Sequence, residues 1–173
     1  MLRVPALEIV PARGPETAPP GLGPEELVKY LSFHKAAEVA AGIGGDAVVI
    51  GADTVVVLDG AVLGKPKDAR DAARMLRALS GRSHTVFTGV AVLRGETRLC
   101  RAERTEVHFR ALTEGEISRY IATGEPMDKA GAYGAQGLAS LFVERLEGDF
   151  FNVMGLPLCL LGTMLKELGV ELL

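Results

Sequence analysis

The chain has little of what metal-stapled or disulfide-stapled folds depend on: two cysteines and three histidines in 173 residues. Cys100 and Cys159 show no Cys-x-x-Cys spacing, and His34, His84 and His108 do not cluster at ligand spacing. That argues against a structural zinc site and leaves both cysteines as expected reduced core residues. No apolar run approaches the roughly 20 residues of a membrane-spanning helix. The start of the chain also lacks the basic segment and apolar core of a secretory signal, so the expectation is a cytoplasmic protein without a membrane partner. Lysines and arginines are scattered and the formal net charge is −3. A nucleic-acid polymer needs a basic stripe, and none is present. The Walker pattern and Gly-x-Gly-x-x-Gly are missing too, which excludes a P-loop enzyme.

What is present is an ordinary globular composition, 48% hydrophobic and 24% charged, in a length that fits one domain with a real core. Hydrophobic patterning predicts a short strand over 4–10, a Pro- and Gly-rich loop over 11–23 containing Glu16, and a helix from Pro24 to about Ala41. Val28, Leu31, Lys35 and Val39 share one face of that helix at 3.6-residue spacing. Lys35 therefore either enters the apolar side or snorkels to its rim. Asp68 caps a helix ending at Leu79, strands follow over 84–93 and 99–109, and Thr113-Glu114-Gly115-Glu116 opens another helix as a capping box. A glycine-rich loop spans 123–137, then come a strand over 141–145 and a last helix with Leu158, Leu161, Leu165 and Leu168 on one stripe. Helices and strands alternate without a regular βαβ rhythm, which predicts a mixed α/β (α+β) fold.

Chemistry concentrates at two places. In Val48-Val49-Ile50-Gly51-Ala52-Asp53-Thr54-Val55-Val56-Val57 a single carboxylate interrupts a buried strand. An ionised aspartate there costs several kcal/mol unless paired, hydrogen-bonded or metal-bound. Asp59-Gly60 signals a tight hairpin, and Gly51 permits close backbone approach. The return strand ends at Gly64-Lys65-Pro66, which brings Lys65 toward Asp53. A structural Asp–Lys pair and a reactive carboxylate both satisfy that pattern. The second place is the loop Gly124 to Gly137, which combines Asp128, Lys129, Tyr133 and Gln136 with four glycines. Its backbone N–H groups suit anionic oxygens, Lys129 adds a point charge, and Gln136 offers donor and acceptor together. Glycines serving tight turns and a surface Asp128–Lys129 pair are the plainer alternative.

Ile50-Gly51-Ala52-Asp53-Thr54-Val55-Val56, Leu63-Gly64-Lys65-Pro66, Leu79-Ser80-Gly81-Arg82-Ser83-His84, Thr88-Gly89-Val90, Asp128 through Gly137 and Phe150-Phe151-Asn152-Val153 with Gly155-Leu156-Pro157 closely resemble the Maf family of nucleoside triphosphate pyrophosphatases. The resemblance implies an ITPase-like fold with a central mixed, twisted sheet, flanking helices and a cleft between two lobes. It implies hydrolysis of a nucleoside triphosphate to monophosphate and pyrophosphate, assisted by a divalent cation, Mg²⁺ or alternatively Mn²⁺. Asp53 matches the catalytic base. Lys35, Lys65 and Glu16 match positions that handle triphosphate and metal, with Asp53 and Glu16 as the metal ligands. Thr54 and Gln136 match the subgroup acting on dTTP and UTP, and a glutamine amide complements the O4 and N3–H edge of uracil or thymine.

The family opens with a strand and a Ser-Pro-Arg-Arg loop that is not found before Leu7, and neither Arg3 nor Arg13 stands in an equivalent context. The sequence therefore predicts one domain over 1–173 lacking that first strand and phosphate loop. A nucleotide-binding regulator of septum formation with little turnover, or a nucleotidyltransferase needing a second substrate, would use the same groups. A homodimer is left open.

Overall fold

A computed structural model describes residues 7–44 and 46–172. The loop over 11–23 leads into α1 (Pro24–Gly42), which starts with Pro24 in its first turn beside Glu25 and Glu26. Fixed proline φ and acidic side chains both suit a helix N-terminus. Next come β1 (Val49–Leu58) and β2 (Ala61–Leu63), joined at Asp59 and Gly60, both with positive φ. That is the type I′ geometry the Asp-Gly pair predicts. α2 (Ala69–Leu79) is capped by the Asp68 side chain, which accepts from the Asp71 amide. β3 (Ser83–Arg94) and β4 (Thr97–Phe109) form a long hairpin, and α3 (Glu114–Ala122) opens with the reciprocal Thr113–Glu116 capping box. Three short 3₁₀ turns over 125–141 precede β5 (Val143–Glu147), α4 (Phe150–Val153) and α5 (Leu158–Glu167).

The five strands form one sheet in the order β2-β1-β3-β4-β5. A mixed sheet was expected. All pairings among the described residues are antiparallel, because each strand follows its neighbour through a hairpin or returns on an edge. Of the expected strand over 4–10, residues 7–10 carry no strand pairing and 4–6 lie outside the described residues. Leu138–Leu141 turns as a 3₁₀ helix, so the strand expected from 141 begins at Val143.

Strand alternation assigns the layers. Val49, Gly51, Asp53, Val55 and Val57 face α1, as do Gly89, Ala91 and Leu93 of β3. A Cβ at Gly51 would collide with the Ser32 carbonyl and Ala36, and one at Gly89 with the Val28 carbonyl. Glycine at both places lets α1 lie directly on the sheet, which fulfils the close approach predicted at Gly51. The buried stripe of α1 consequently runs through Val28, Ser32 and Ala36, while Lys35 sits beside it at the rim. On the opposite face, α5 covers Val90 and Val92. The largest core cluster joins Val56, Leu58, Val86, Val107 and Phe109 to α2, α3 and the 125–141 segment. Cys100 is half-buried in β4, but Cys159 is exposed on α5, a correction to its expected core position: the buried stripe of α5 runs through Leu161, Met164 and Leu165 instead. No helix among the described residues is long and apolar enough to cross a membrane.

Candidate active site

β2 pairs with Val56–Leu58 only, so among the described residues the outer edge of β1 at Ala52–Val55 carries no strand. A cavity of about 560 Å³ wraps that edge, bounded by α1, the end of β2, the glycine-rich loop and the turn after α4. It brings together every residue singled out from sequence: Glu16, Lys35, Asp53, Thr54, Lys65, Lys129 and Gln136.

Asp53 is the most deeply placed acid, with its side chain 10% exposed. Its partner is Lys35, whose Nζ lies 2.6 Å from Asp53 Oδ1 and 2.9 Å from Glu16 Oε1. The sequence pointed to Lys65 as the neighbouring cation. Lys65 lines the same cavity but acts at a distance, favouring the charged forms of Asp53 and Glu16 through space. The helix supplies the pair because Lys35 projects from α1 toward the strand face that carries Asp53.

Burial drives the Asp53 pKa upward, and the Lys35 hydrogen bond only partly opposes it. The Asp53 carboxylate is therefore more basic than a solvated one, as a proton acceptor requires. Burial also works against the Lys35 charge, but its hydrogen bonds to Asp53 and Glu16 prevail and its pKa is raised. Glu16, 62% exposed, is held below its usual range by the Lys35 hydrogen bond. Two carboxylates around one ammonium form a hard oxygen donor set of the kind that binds Mg²⁺ through one or two carboxylates plus phosphate oxygens and waters, without an all-protein cage. Among the described residues no three acidic, histidine or cysteine side chains converge, and such a site does not require them.

The facing wall is built differently. Lys129 Nζ pairs with Asp128 Oδ1 at 2.7 Å, both near the surface, which is the plain surface pair weighed from sequence. The loop is held from behind by Glu125, whose carboxylate accepts from Tyr120 Oη at 2.9 Å and the Leu138 amide at 3.0 Å. Gly131 donates its amide to the Gly64 carbonyl, tying the loop to the end of β2. Gly134 and Gly137 leave no room for a Cβ beside Lys129 and Glu125. Gln136 is exposed at the mouth.

Sequence reasoning gave no role to Thr88, Asn152 or Glu125. Thr88 and Asn152 are buried polar residues linked to Thr54. They fell inside the family-like motifs, and that was the only signal marking them.

A deep carboxylate, its lysine, a second acid and two more lysines around one cavity define a site for an anionic, phosphate-bearing ligand. The model of the family described as Maf-like protein matches residues 1–168, and the chain belongs to that family. It is 56% identical over 160 residues to a dTTP/UTP pyrophosphatase of Pelotomaculum thermopropionicum, covering 91% of this chain and 83% of that protein. A dTTP/UTP pyrophosphatase of Moorella thermoacetica is 52% identical over 166 residues (94% and 84%), and one of Dictyoglomus thermophilum 51% over 152 residues (87% and 78%).

Proposed function

We propose that the protein hydrolyses dTTP and UTP to the monophosphate and pyrophosphate, acting on cytoplasmic nucleotides. The observation that carries this reading is the part-buried Asp53, raised in pKa and held by Lys35 at 2.6 Å in a cavity lined by further lysines, in a chain more than half identical to a dTTP/UTP pyrophosphatase.

Asp53 accepts a proton from water as the water oxygen bonds to the α-phosphorus. The bond between that phosphorus and the oxygen bridging to the β-phosphate breaks, and pyrophosphate leaves with the electron pair. Lys35 and Lys65 hold phosphate oxygens from the α1 and β2 sides, and Lys129 from the loop, so that the in-line geometry is set before reaction. A divalent cation, for which Mg²⁺ is the best match to these donors, would be held by Asp53 and Glu16 and would neutralise phosphate charge. Gln136 faces the base edge, and Thr54 lies next to Asp53 in sequence, on the opposite face of β1.

The test is pyrophosphate release from dTTP, UTP, dGTP and dATP with Mg²⁺. Release from the two pyrimidine substrates well ahead of the purines is expected. Binding of dTTP without release, or release of orthophosphate, would sink the reading.

A further inference from the structure

A chain of buried hydroxyls lies behind Thr54 and takes no part in the chemistry above. Thr88, Thr105 and Asn152 are fully buried, and the hydrogen bonds among them fix one another's direction. Asn152 Nδ2 donates to the Val86 carbonyl at 3.1 Å and to Thr105 Oγ1 at 2.9 Å. Turning that amide would set its oxygen against the Val86 carbonyl, so its orientation is determined. The same contacts pin the Asn152 backbone, whose carbonyl oxygen lies 2.9 Å from Thr88 Oγ1. A carbonyl only accepts, so the single Thr88 proton is committed there. Thr54 Oγ1 lies 2.8 Å from Thr88 Oγ1, and with the Thr88 proton used, Thr54 must be the donor of that bond. Its own proton is then turned into the protein, and toward the cavity the Thr54 oxygen offers only lone pairs. Gly155, with φ of +105°, stands in front of it, and a Cβ there would rest in van der Waals contact with Thr54 Oγ1 at 3.5 Å. The adjoining turn, Val153-Met154-Gly155, carries no charge, in contrast to the acids and lysines grouped around Asp53.

We infer that Thr88 and Asn152 are positioning residues that lock the Thr54 hydroxyl as an acceptor for a hydrogen-bond donor of the nucleoside, its imide N3–H or its sugar hydroxyl. This rests on the cleft being a nucleoside triphosphate site. Matched donors are selected strongly by such a device, because a ligand without the donor leaves a desolvated oxygen unpaired.

The experiment compares kcat/KM for UTP with 3-methyl-UTP, which lacks the imide donor, and for dTTP with 3′-deoxythymidine triphosphate, which lacks the sugar hydroxyl. In the wild type, one of the two deletions is expected to cost roughly 10-fold or more. That gap should close to within about 3-fold in Thr54→Val. It should shrink in Thr88→Val, where the Thr54 hydroxyl is free to rotate, and stay as in the wild type in Thr88→Ser, which restores the relay. A merely structural Thr88 would lower all four efficiencies together and leave both ratios unchanged. Ratios that do not move in Thr54→Val overturn the inference, and that variant decides it even if Thr88→Val does not fold. Failure of the wild type to release pyrophosphate from UTP overturns the proposed activity as well, whereas release with unmoved ratios overturns the inference alone.

Discussion

The two walls of the cleft are made of different materials. On one side Asp53 and Lys35 project from a ten-residue strand and a nineteen-residue helix that touch through glycines, so the short Lys35–Asp53 contact follows from how closely α1 lies on β1. On the other side Lys129 and Gln136 sit in the connections between short 3₁₀ turns, held by Glu125 accepting from Tyr120 and Leu138, by Gly134 donating to Tyr120 Oη and by Gly131 donating to the Gly64 carbonyl. The first wall is built on regular elements, and the second on a loop whose shape is set by a few side-chain and backbone hydrogen bonds. In the proposed reaction, chemistry that tolerates little displacement falls on the rigid wall, and recognition of a base at the mouth on the more adaptable loop.

If that division is right, the largest effect comes from removing the reactive group of the rigid wall. Asp53→Asn is expected to lower kcat by 10³-fold or more, on the scale of losing a positioned base together with its charge. Stability should not fall with it. The Asp53 pKa is raised in the folded protein, so the fold holds that proton more tightly than the unfolded chain does. Charging Asp53 at neutral pH therefore costs stability, which an uncharged amide avoids. A melting temperature that drops sharply while activity persists would mark Asp53 as a structural ion-pair member and dissolve the contrast between the walls.

The next effect tests the rigidity itself. In Gly89→Ala the new methyl would meet the Val28 carbonyl, and α1 must lift to relieve it. Overpacking of this kind typically costs about 1–3 kcal/mol. Because Lys35 rides on α1, the variant should also lose activity beyond what its melting temperature explains. Chemical denaturation with kinetics on the folded fraction checks this, and full activity in a destabilised Gly89→Ala would show that the Lys35 contact does not depend on how closely the helix lies on the sheet.

Much of the local framework on both sides of the cleft was legible in the sequence, and little of the contact between distant segments was. The Asp-Gly hairpin, the Asp68 cap, the Thr113 capping box and the glycine at 51 each encode their geometry within a few residues, so local rules reach them. The partner of Asp53 was not legible. Lys65 is nearer along the hairpin, but Lys35, eighteen positions away, is brought in by the angle at which α1 crosses β1, and no local pattern specifies that angle. Glu125 and Asn152 were missed for the same reason: a part-buried acceptor or a buried amide is defined by groups that arrive from other segments. The loop sequence contains Glu125 beside its glycines, but not the information that Tyr120 and Leu138 converge on that carboxylate.

The core behind the adaptable wall gives an effect that shows only toward acid pH. His84 is buried against Phe109 and Tyr133, with Nε2 at 2.8 Å from Tyr133 Oη and Nδ1 without a partner among the described residues. Burial, with a smaller contribution from His108, pushes its pKa down to about 4, whereas an unfolded histidine titrates near 6.5. Above about pH 6.5 both states are neutral and stability is whole. As pH falls toward about 4 the unfolded chain takes up a proton that the folded chain refuses, and about 3 kcal/mol is lost. Urea titrations from pH 7.5 to 4 in wild type and His84→Phe should show this acid limb in the former and a shallower one in the latter. Identical limbs would mean that His84 gains a partner when charged.

The effect narrowest in scope, confined to selectivity, belongs to the mouth of the adaptable wall. Gln136 is exposed and touches no catalytic group, so Gln136→Ala should leave the fold and the turnover of bound substrate nearly intact. A Gln136 amide that donates to the O4 of uracil or thymine meets an amino donor instead on adenine, which favours uracil and thymine over adenine by about 1–3 kcal/mol. The ratio of kcat/KM for dTTP over dATP should therefore fall by roughly 5- to 150-fold, mostly through KM for dTTP, while Lys129→Ala should weaken all triphosphates alike and leave that ratio alone. The pairing of the two variants is what separates recognition of the base from attraction of the phosphates on a wall that carries both. If Gln136→Ala keeps the wild-type ratio and Lys129→Ala changes it, the roles assigned to the two residues are reversed, and selectivity resides in how the loop closes on the phosphates instead of in the amide.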